Sequence, residues 1–541
     1  MRHRTRALAL LAAAGLATAG CKDDFLTEVP YSFVAPENLY TGADGALAAL
    51  SGAYAAFQAR VPELGISDVD YYGRQYWMLV EYPTETVTLR LGATNERTMP
   101  DIFQVNASHN YINGAWRAAF HAVNRANSVI DNVPGIQNMD AALRGRIVAE
   151  AKFLRAYHYF NLVRLFGGVP LYLRETRSLD SIQKPRASQA EVYQAIIQDL
   201  TDAAGVLPTS YTGSNVGRAT SGAARALLAK VYLHYGALGG GGAQAFVQAE
   251  AAARAVVQSG RYSLLANYAS VFDQGNENNA EVIFDIQNVR TPGAGGYMCD
   301  QYAARPVPNQ GDFPYCDSQN PSFGPEWPFF YSYHPADTRK AGTWLLTYTK
   351  KSGTTVTWDS TATAATAYGH FAPVPNKYMD KTPGAQDGAE EPNFVLLRYA
   401  DVLLSLAEAI NENAGPTAEA YGLVNQVRAR AKVPALTPGL SKQAFKDSLF
   451  LERRFEFAME GHGHFDSQRN WTWAKQRIMQ YATAAGRAFW NRPRPSGCSS
   501  CIARDSSVPK VTLNLGDHLI FYPIPQAARD VNPLLDQNPG Y

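Results

Sequence analysis

One helix-length stretch limits what this chain can become more than any other. "AEAKFLRAYHYFNLVRLFGGVPLY", Ala149 to Tyr172, is apolar on nearly every face, through Phe153, Leu154, Tyr157, Phe160, Val163 and Phe166. A helix without a broad polar face belongs inside a bundle rather than on its surface. Gly167 and Gly168 tolerate the left-handed conformation that ends a helix, and Pro170 prevents its resumption. The spacing therefore predicts a mainly α protein built around this segment.

Other helices follow from periodicity. Leu47, Leu50, Tyr54, Phe57 and Val61 share one helical face from Thr41 onward, and Trp116, Phe120, Val123 and Ile130 share another. Ser188 to Val206 reads as a helix. "ATSGAARALLAKVYLHYGA" and "AFVQAEAAARAVVQSGRY" form an antiparallel hairpin across Gly239 to Gly242, and "YADVLLSLAEAINEN" with "TAEAYGLVNQVRARA" forms another. Ala223, Ala226 and Ala229 opposite Ala249 and Ala253 let the first pair approach closely. Such hairpins bury their faces by stacking, which is tetratricopeptide logic, here at irregular spacing.

Two stretches lack that periodicity. Residues 67–108 are dense in Tyr, Trp, Asn and Arg and read as loop. Residues 261–395 hold one clear strand, "EVIFDIQ", amid Gly, Pro, Asn and Thr. From Tyr297 to Trp358, thirteen of 62 residues are aromatic, about double the chain's 11%, and disordered segments are poor in aromatics. This region is an ordered, loop-rich lobe with a few short strands. After it come the charged helix "LERRFEFAMEG", an expected strand "HLIFYPIP" and the ending "NPLLDQNPGY".

At the N-terminus, Arg2, His3, Arg4 and Arg6 precede the apolar run Ala7 to Ala17 and the small residues Thr18, Ala19 and Gly20, the order of a secretory signal peptide. The run is shorter than the roughly 20 residues that cross a bilayer. Cys21 follows directly, and "TAGC" is similar to the lipobox of bacterial lipoproteins, which makes Cys21 a lipidation site; the alternative is a buried thiol in a cleaved leader. The expected divisions are 1–20 signal peptide, 21–40 tether, 41–260 N-terminal helices with a ligand-side loop near 67–108, 261–395 lobe and 396–541 C-terminal helices. Residues 21–541 are expected to form one compact unit. An exported chain permits disulfides, with Cys299 to Cys316 and Cys498 to Cys501 preferred because short loops close at least entropic cost. A four-thiolate zinc site competes poorly, since Cys299 and Cys316 are too far apart for one of its close pairs.

Basic and acidic residues number 49 and 48, so charge offers no footprint for nucleic acid. Glu452, Glu456 and Glu460 share a helix face, where ion pairing with Arg453, Arg454 and arginines of neighbouring helices outweighs a metal or acid–base role. His462, His464 and Asp466 read as a cap after that helix rather than ligands. Gly239 to Gly242 is a turn, not a phosphate loop, and no G-x-S-x-G or H-E-x-x-H occurs. No motif singles out a cofactor, a metal or a catalytic residue. The candidate ligand residues are aromatic with polar neighbours: Asp70, Tyr72, Arg74, Tyr76, Trp77, Asn95 and Arg97 in one group, and Asn320, Trp327, Tyr331 and Tyr333 in another. Exposed rings stack on the C–H faces of sugars while Asn, Asp and Arg bond their hydroxyls. The competing reading makes these rings the core of the lobe.

Five motifs in order resemble one family: "CKDDFL", "AEAKFLRAYHYFNLVRLFGGVPLY", "LLRYADVLLSLAEAIN" followed by "LVNQVRARA", "LERRFEFAMEGH" and "FYPIPQAARDVNPLLDQNPGY". Together they resemble the SusD/RagB-like outer-membrane lipoproteins. That resemblance implies a scaffold of four tetratricopeptide-like hairpins supporting a loop-rich lobe, tethered by lipid to the outer face of the outer membrane. It implies a partner, a SusC-like TonB-dependent barrel, and an oligosaccharide ligand captured for import without chemistry. Oligopeptide capture, as in the RagB branch, is the near alternative; an anchored hydrolase and a purely structural scaffold are more distant. Lys22, Asp23 and Asp24 resemble the family's surface-export signal, although a solvated charged tether explains the same residues equally well and only the family context favours export. The sequence departs from the family at "EGHGHFDSQRN", with Gly463, His464 and Ser467 where Arg, an aromatic and Asp-Leu are usual.

Overall fold

The computed structural model describes residues 39–58, 61, 65–67, 70–89, 95–178, 182–291, 295–298, 313–315, 323–357, 373–382, 385, 388–482 and 515–541. The signal peptide, Cys21, the disulfide candidates Cys299, Cys316, Cys498 and Cys501, and Asn320 lie outside the described residues.

The N-terminal elements are α1 (Ala43–Ala55), α2 (Gln75–Glu81), β1 (Val87–Leu89), α3 (Asn95–Asp101), α4 (Asn110–Asn132), α5 (Ala141–Phe166), α6 (Gln189–Val206), α7 (Ser221–Ala237) and α8 (Gly242–Gln258). The lobe contributes β2 (Val282–Ile286), β3 (Phe323–Pro325), α9 (Trp327–Ser332), α10 (Arg339–Thr343), β4 (Trp344–Leu345), β5 (Thr347–Thr349), β6 (Thr355–Thr357), β7 (Val374–Pro375) and β8 (Phe394–Arg398). Then come α11 (Tyr399–Ala414), α12 (Ala418–Arg430), α13 (Lys442–Phe457), α14 (Gly463–Arg469), α15 (Trp471–Ala482) and α16 (Gln526–Val531). The protein is mainly helical, and its strands pair two by two, antiparallel.

Helix α5 is the interior helix its composition requires. From Ile147 to Phe166 every residue except Val148 and Lys152 is buried, each large apolar side chain contributing about 1.5–3 kcal/mol. Asp140 accepts a hydrogen bond from the Leu143 amide at 2.8 Å to start the helix, and Gly167, at φ +73°, ends it. Helices α4 to α8 each pack on the next in sequence, α8 then packs on α11, and α11 on α12. Ser188 caps α6 in a reciprocal box with Glu191. Ala223, Ala226, Ala229, Ala249 and Ala253 are all buried, as expected of the α7–α8 pair.

Three local expectations need correction. Helix α1 stops at Ala55, and Val61 instead makes an antiparallel bridge with Ile66. Residues 67–108 are not all loop, because "QYWMLVE" of α2 is buried almost throughout and β1 and α3 follow it. "HLIFYPIP" is no strand: Asp517–Ile520 is a 3-10 turn, and Pro523 and Pro525 have no amide hydrogen to offer a ladder. The segment instead caps α5, with the Tyr522 amide donating to Leu165 O at 2.7 Å and Asn538 Nδ2 to Phe166 O at 3.0 Å.

Strands β2 and β8 pair at the lobe's base, with Val282 opposite Arg398 and Ile286 opposite Phe394. Around them lies a buried ionic frame. Glu452, Glu456 and Glu460 pair with Arg339, Arg428, Arg398, Arg430 and Lys377, largely from the lobe and neighbouring helices. Arg453 pairs with Asp401 and Asp466, and Arg454 with Glu85, so these two serve other carboxylates. His462, His464 and Asp466 are buried, and α14 begins among them rather than a simple cap. Gly461 has φ +75°, and a Cβ there would lie 2.4 Å from the Trp77 ring. At Gly463 a Cβ would lie 2.7 Å from Thr84 Cγ2, so the family's usual longer residue has no space on this backbone.

Candidate functional site

The two candidate groups meet through a strand pair. β1 runs antiparallel to β3 with Val87 opposite Pro325 and Thr88 opposite Gly324, and the Glu326 amide donates to Thr86 O at 2.9 Å. The Tyr82 and Phe323 rings stack across this junction at 4.7 Å. Sequence-distant segments are thus joined at this strand pair.

Within the first group, most rings point inward. Tyr72, Tyr76 and Trp77 are 4%, 2% and 1% exposed, so packing, and not a ligand platform, is what these rings supply. The reason lies in α5, whose buried amide Asn161 donates to the Tyr71 hydroxyl at 2.7 Å and the Tyr72 hydroxyl at 2.9 Å. Its Oδ1 accepts from the Tyr76 hydroxyl at 2.9 Å. Trp77 Nε1 donates to Tyr72 O at 2.9 Å while its ring lies 4.0 Å from that of Phe394. A buried polar group needs partners, and these tyrosines are the partners.

The polar members collect at the start of α4. Asp70 accepts from the Ser67 amide at 2.9 Å and lies 3.8 Å from Arg117. Arg74 and Arg97, both half-buried, approach the Tyr111 hydroxyl, which burial pushes up while the two arginines oppose that shift. His109 Nε2 bonds Glu96 O at 2.8 Å, and its Nδ1 accepts from the Tyr111 amide at 3.2 Å, so the neutral ring carries its proton on Nε2. Burial pushes this imidazole below its usual value. Asn110 Nδ2 also donates to Glu96. Together these bonds tie α3, whose first residue is Asn95, to α4.

The second group is set on α9, which Trp327 opens. Tyr333 is buried at 4% exposure between Phe329 and Phe455, at 5.2 and 4.8 Å. Phe329 stacks on Phe455 of α13 at 5.3 Å, which fixes α9 to the scaffold. Tyr331 stands apart: it is 38% exposed. Lys340 Nζ lies 4.1 Å from the Phe330 ring centre and 5.8 Å from that of Tyr331. Arg339 beside it is locked to Asp337 at 2.8 Å and Glu452 at 2.5 Å. The arrangement offers one ring face with a cation beside it, on a rigid base, and a separate edge of half-buried arginines and a carboxylate. Glu96, Tyr111, Arg117 and Lys340 escaped the sequence reading, because none stands in an aromatic run.

Known proteins resemble the chain along its length. The SusD family model matches residues 268–541, and a model described as starch-binding associating with outer membrane matches residues 53–233. A SusD-like protein of Bacteroides ovatus is 27% identical over 565 aligned residues, spanning 98% of this chain and 97% of its own. The crystal structure of a SusD homolog from Bacteroides thetaiotaomicron superposes with a TM-score of 0.75 at 22% identity, over 94% of this chain and 98% of that one. A laminarin-binding SusD-like protein superposes at 0.68 with 23% identity, over 92% and 99%.

Proposed function

This chain belongs to the SusD family, and on that premise we propose that it is a surface protein that binds oligosaccharide without breaking a bond. It delivers the ligand to a SusC-like TonB-dependent barrel of the outer membrane for import. Lipid on Cys21 anchors it, with Lys22, Asp23 and Asp24 directing it to the exterior. The observation that carries the ligand class is Tyr331, an exposed ring on a helix anchored at Phe455, since such a ring stacks on the apolar face of a sugar. The likeness to a laminarin-binding protein supports a glycan ligand.

Trp327 and Tyr331 form the stacking side of this site. Asp70, Arg74, Asn95, Arg97 and Asn320 supply hydrogen bonds to sugar hydroxyls, while Tyr72, Tyr76, Trp77 and Tyr333 hold the surface from beneath. Binding is the whole mechanism: the rigid base limits the entropy lost when a flexible glycan docks.

The purified protein is screened against panels of oligosaccharides and oligopeptides, with the ligand recovered and sized afterwards. The proposal expects binding of at least one oligosaccharide, recovered intact. Binding of peptides alone would move the ligand to the other class, and recovery of shortened glycan would make the protein a hydrolase. Co-purification with a barrel transporter from membranes tests the hand-off.

A further inference from the structure

Beneath the tyrosine cluster lies a cavity of about 20 Å³, lined in part by Tyr157, Arg164, Lys230, Glu460 and His462. One water needs about 10–15 Å³ on this scale, so the space suits a single small occupant. Three donors of its wall keep a hydrogen that no acceptor among the described residues takes up. Arg164 is 6% exposed; its Nη2 donates to Asn161 Oδ1 at 2.6 Å and its Nε to Phe160 O at 3.2 Å. The guanidinium lies between the Phe160 and Phe465 rings, at 3.9 and 3.7 Å. Among the described residues Nη1 meets no acceptor, and no carboxylate pairs with Arg164.

Two more donors have a hydrogen to spare. Asn161 Nδ2 donates to the Tyr72 hydroxyl, which donates to the Tyr157 hydroxyl at 3.4 Å. The relay stops there, because the Tyr157 proton has no acceptor among the described residues. Lys230 Nζ donates to Asp401 at 2.6 Å and faces His462 Nδ1 at 3.5 Å, leaving a third hydrogen.

Charge decides what fills the cavity. Lys230, Arg453 and Arg469 are matched by Asp401, Asp466 and Glu408. Glu460 touches the cavity, but Lys377 and Arg398 hold both its oxygens. Among the described residues Arg164 is left as a buried cation without a paired carboxylate, a costly state that ring contacts offset only in part. A water would accept two hydrogen bonds and bring no charge.

We propose that the cavity holds one monovalent anion of halide size, bound by Arg164 Nη1, the Tyr157 hydroxyl and Lys230 Nζ. The anion joins α5 and α7. It is independent of which ligand the surface binds.

Crystals of the protein grown in sodium bromide, measured at the bromine edge, show an anomalous peak in this cavity. In solution, the thermal midpoint rises with bromide at constant ionic strength, balanced with sulfate, until it saturates. Tyr157→Phe keeps the ring and removes one donor, so half-saturation requires about tenfold more bromide, as expected for a hydrogen bond to a charged group. Arg164→Gln abolishes the bromide response; if that variant does not fold, Tyr157→Phe carries the test. A cavity holding only water density, no bromide response in the native chain, or the same response in Tyr157→Phe would overturn the proposal.

Discussion

Asn161 holds Tyr72 from inside α5, its Nδ2 donating to the tyrosine hydroxyl at 2.9 Å. Its second amide hydrogen goes to Tyr71, and its oxygen accepts from Tyr76 and Arg164, so every hydrogen-bonding position of this amide is filled. Asn161→Leu preserves the volume but strips partners from three buried hydroxyls. At about 1–3 kcal/mol for each unsatisfied group, the variant loses at least about 2 kcal/mol. Urea unfolding checks this, and an unchanged midpoint would remove Asn161 from the account.

Trp77 is a folding residue in this structure. At 1% exposure, with Phe394 at 4.0 Å, truncation to Ala costs about 3–5 kcal/mol. The expected result is a lower unfolding midpoint with unchanged glycan affinity in whatever fraction folds at low temperature. Loss of affinity with normal stability would return Trp77 to the binding surface.

Arg398 joins the lobe's base to α13, through Glu281, Glu456 and Glu460 at 2.8, 2.6 and 2.7 Å. Arg398→Met leaves those carboxylates buried with fewer cations, a loss of about 3–5 kcal/mol. Limited proteolysis should then cut the lobe faster than the α4–α8 helices. Equal rates would deny the ionic frame its role in fixing the lobe.

Burial pushes His464 down to about 4. The unfolded chain takes up its proton near 6.5 while the folded chain does not, so stability falls as pH drops from about 6.5 to 4 and is unaffected above that window. The effect is of the order of 3 kcal/mol across it. Glu81 has the opposite sign: burial raises it to about 7, and its contribution is lost as pH rises from about 4.5 through 7. Comparison with His464→Gln isolates the histidine. The variant should show a shallower acid slope in denaturant midpoints between pH 6.5 and 4, and parallel slopes would contradict the assignment.

Much of the scaffold was legible in the sequence because its signals are local. The all-round apolar α5, its Gly167 stop and the alanine-lined α7–α8 pair each fall within one helix or hairpin. Strand β2 was legible as "EVIFDIQ", but the other short strands were not, since β1 needs β3 and β8 needs β2, partners brought together only by the folded lobe. The candidate site was half legible. Tyr72 and Tyr331 look alike in sequence, both tyrosines in aromatic, irregular stretches, yet one is buried and the other exposed. The signal that separates them lay elsewhere, in His158 and Asn161, polar residues on an otherwise apolar helix that require buried partners. Tyr71 answers both, bonding His158 Nδ1 at 3.2 Å.

The most direct test is calorimetric titration of an oligosaccharide found by the panel into the native protein and into Tyr331→Ala. Tyr331 is 38% exposed, so its removal should leave the thermal midpoint unchanged. Losing one stacked ring, at about 1 kcal/mol, should weaken the affinity about fivefold or more. Equal affinities for native and variant protein would contradict glycan capture at this surface.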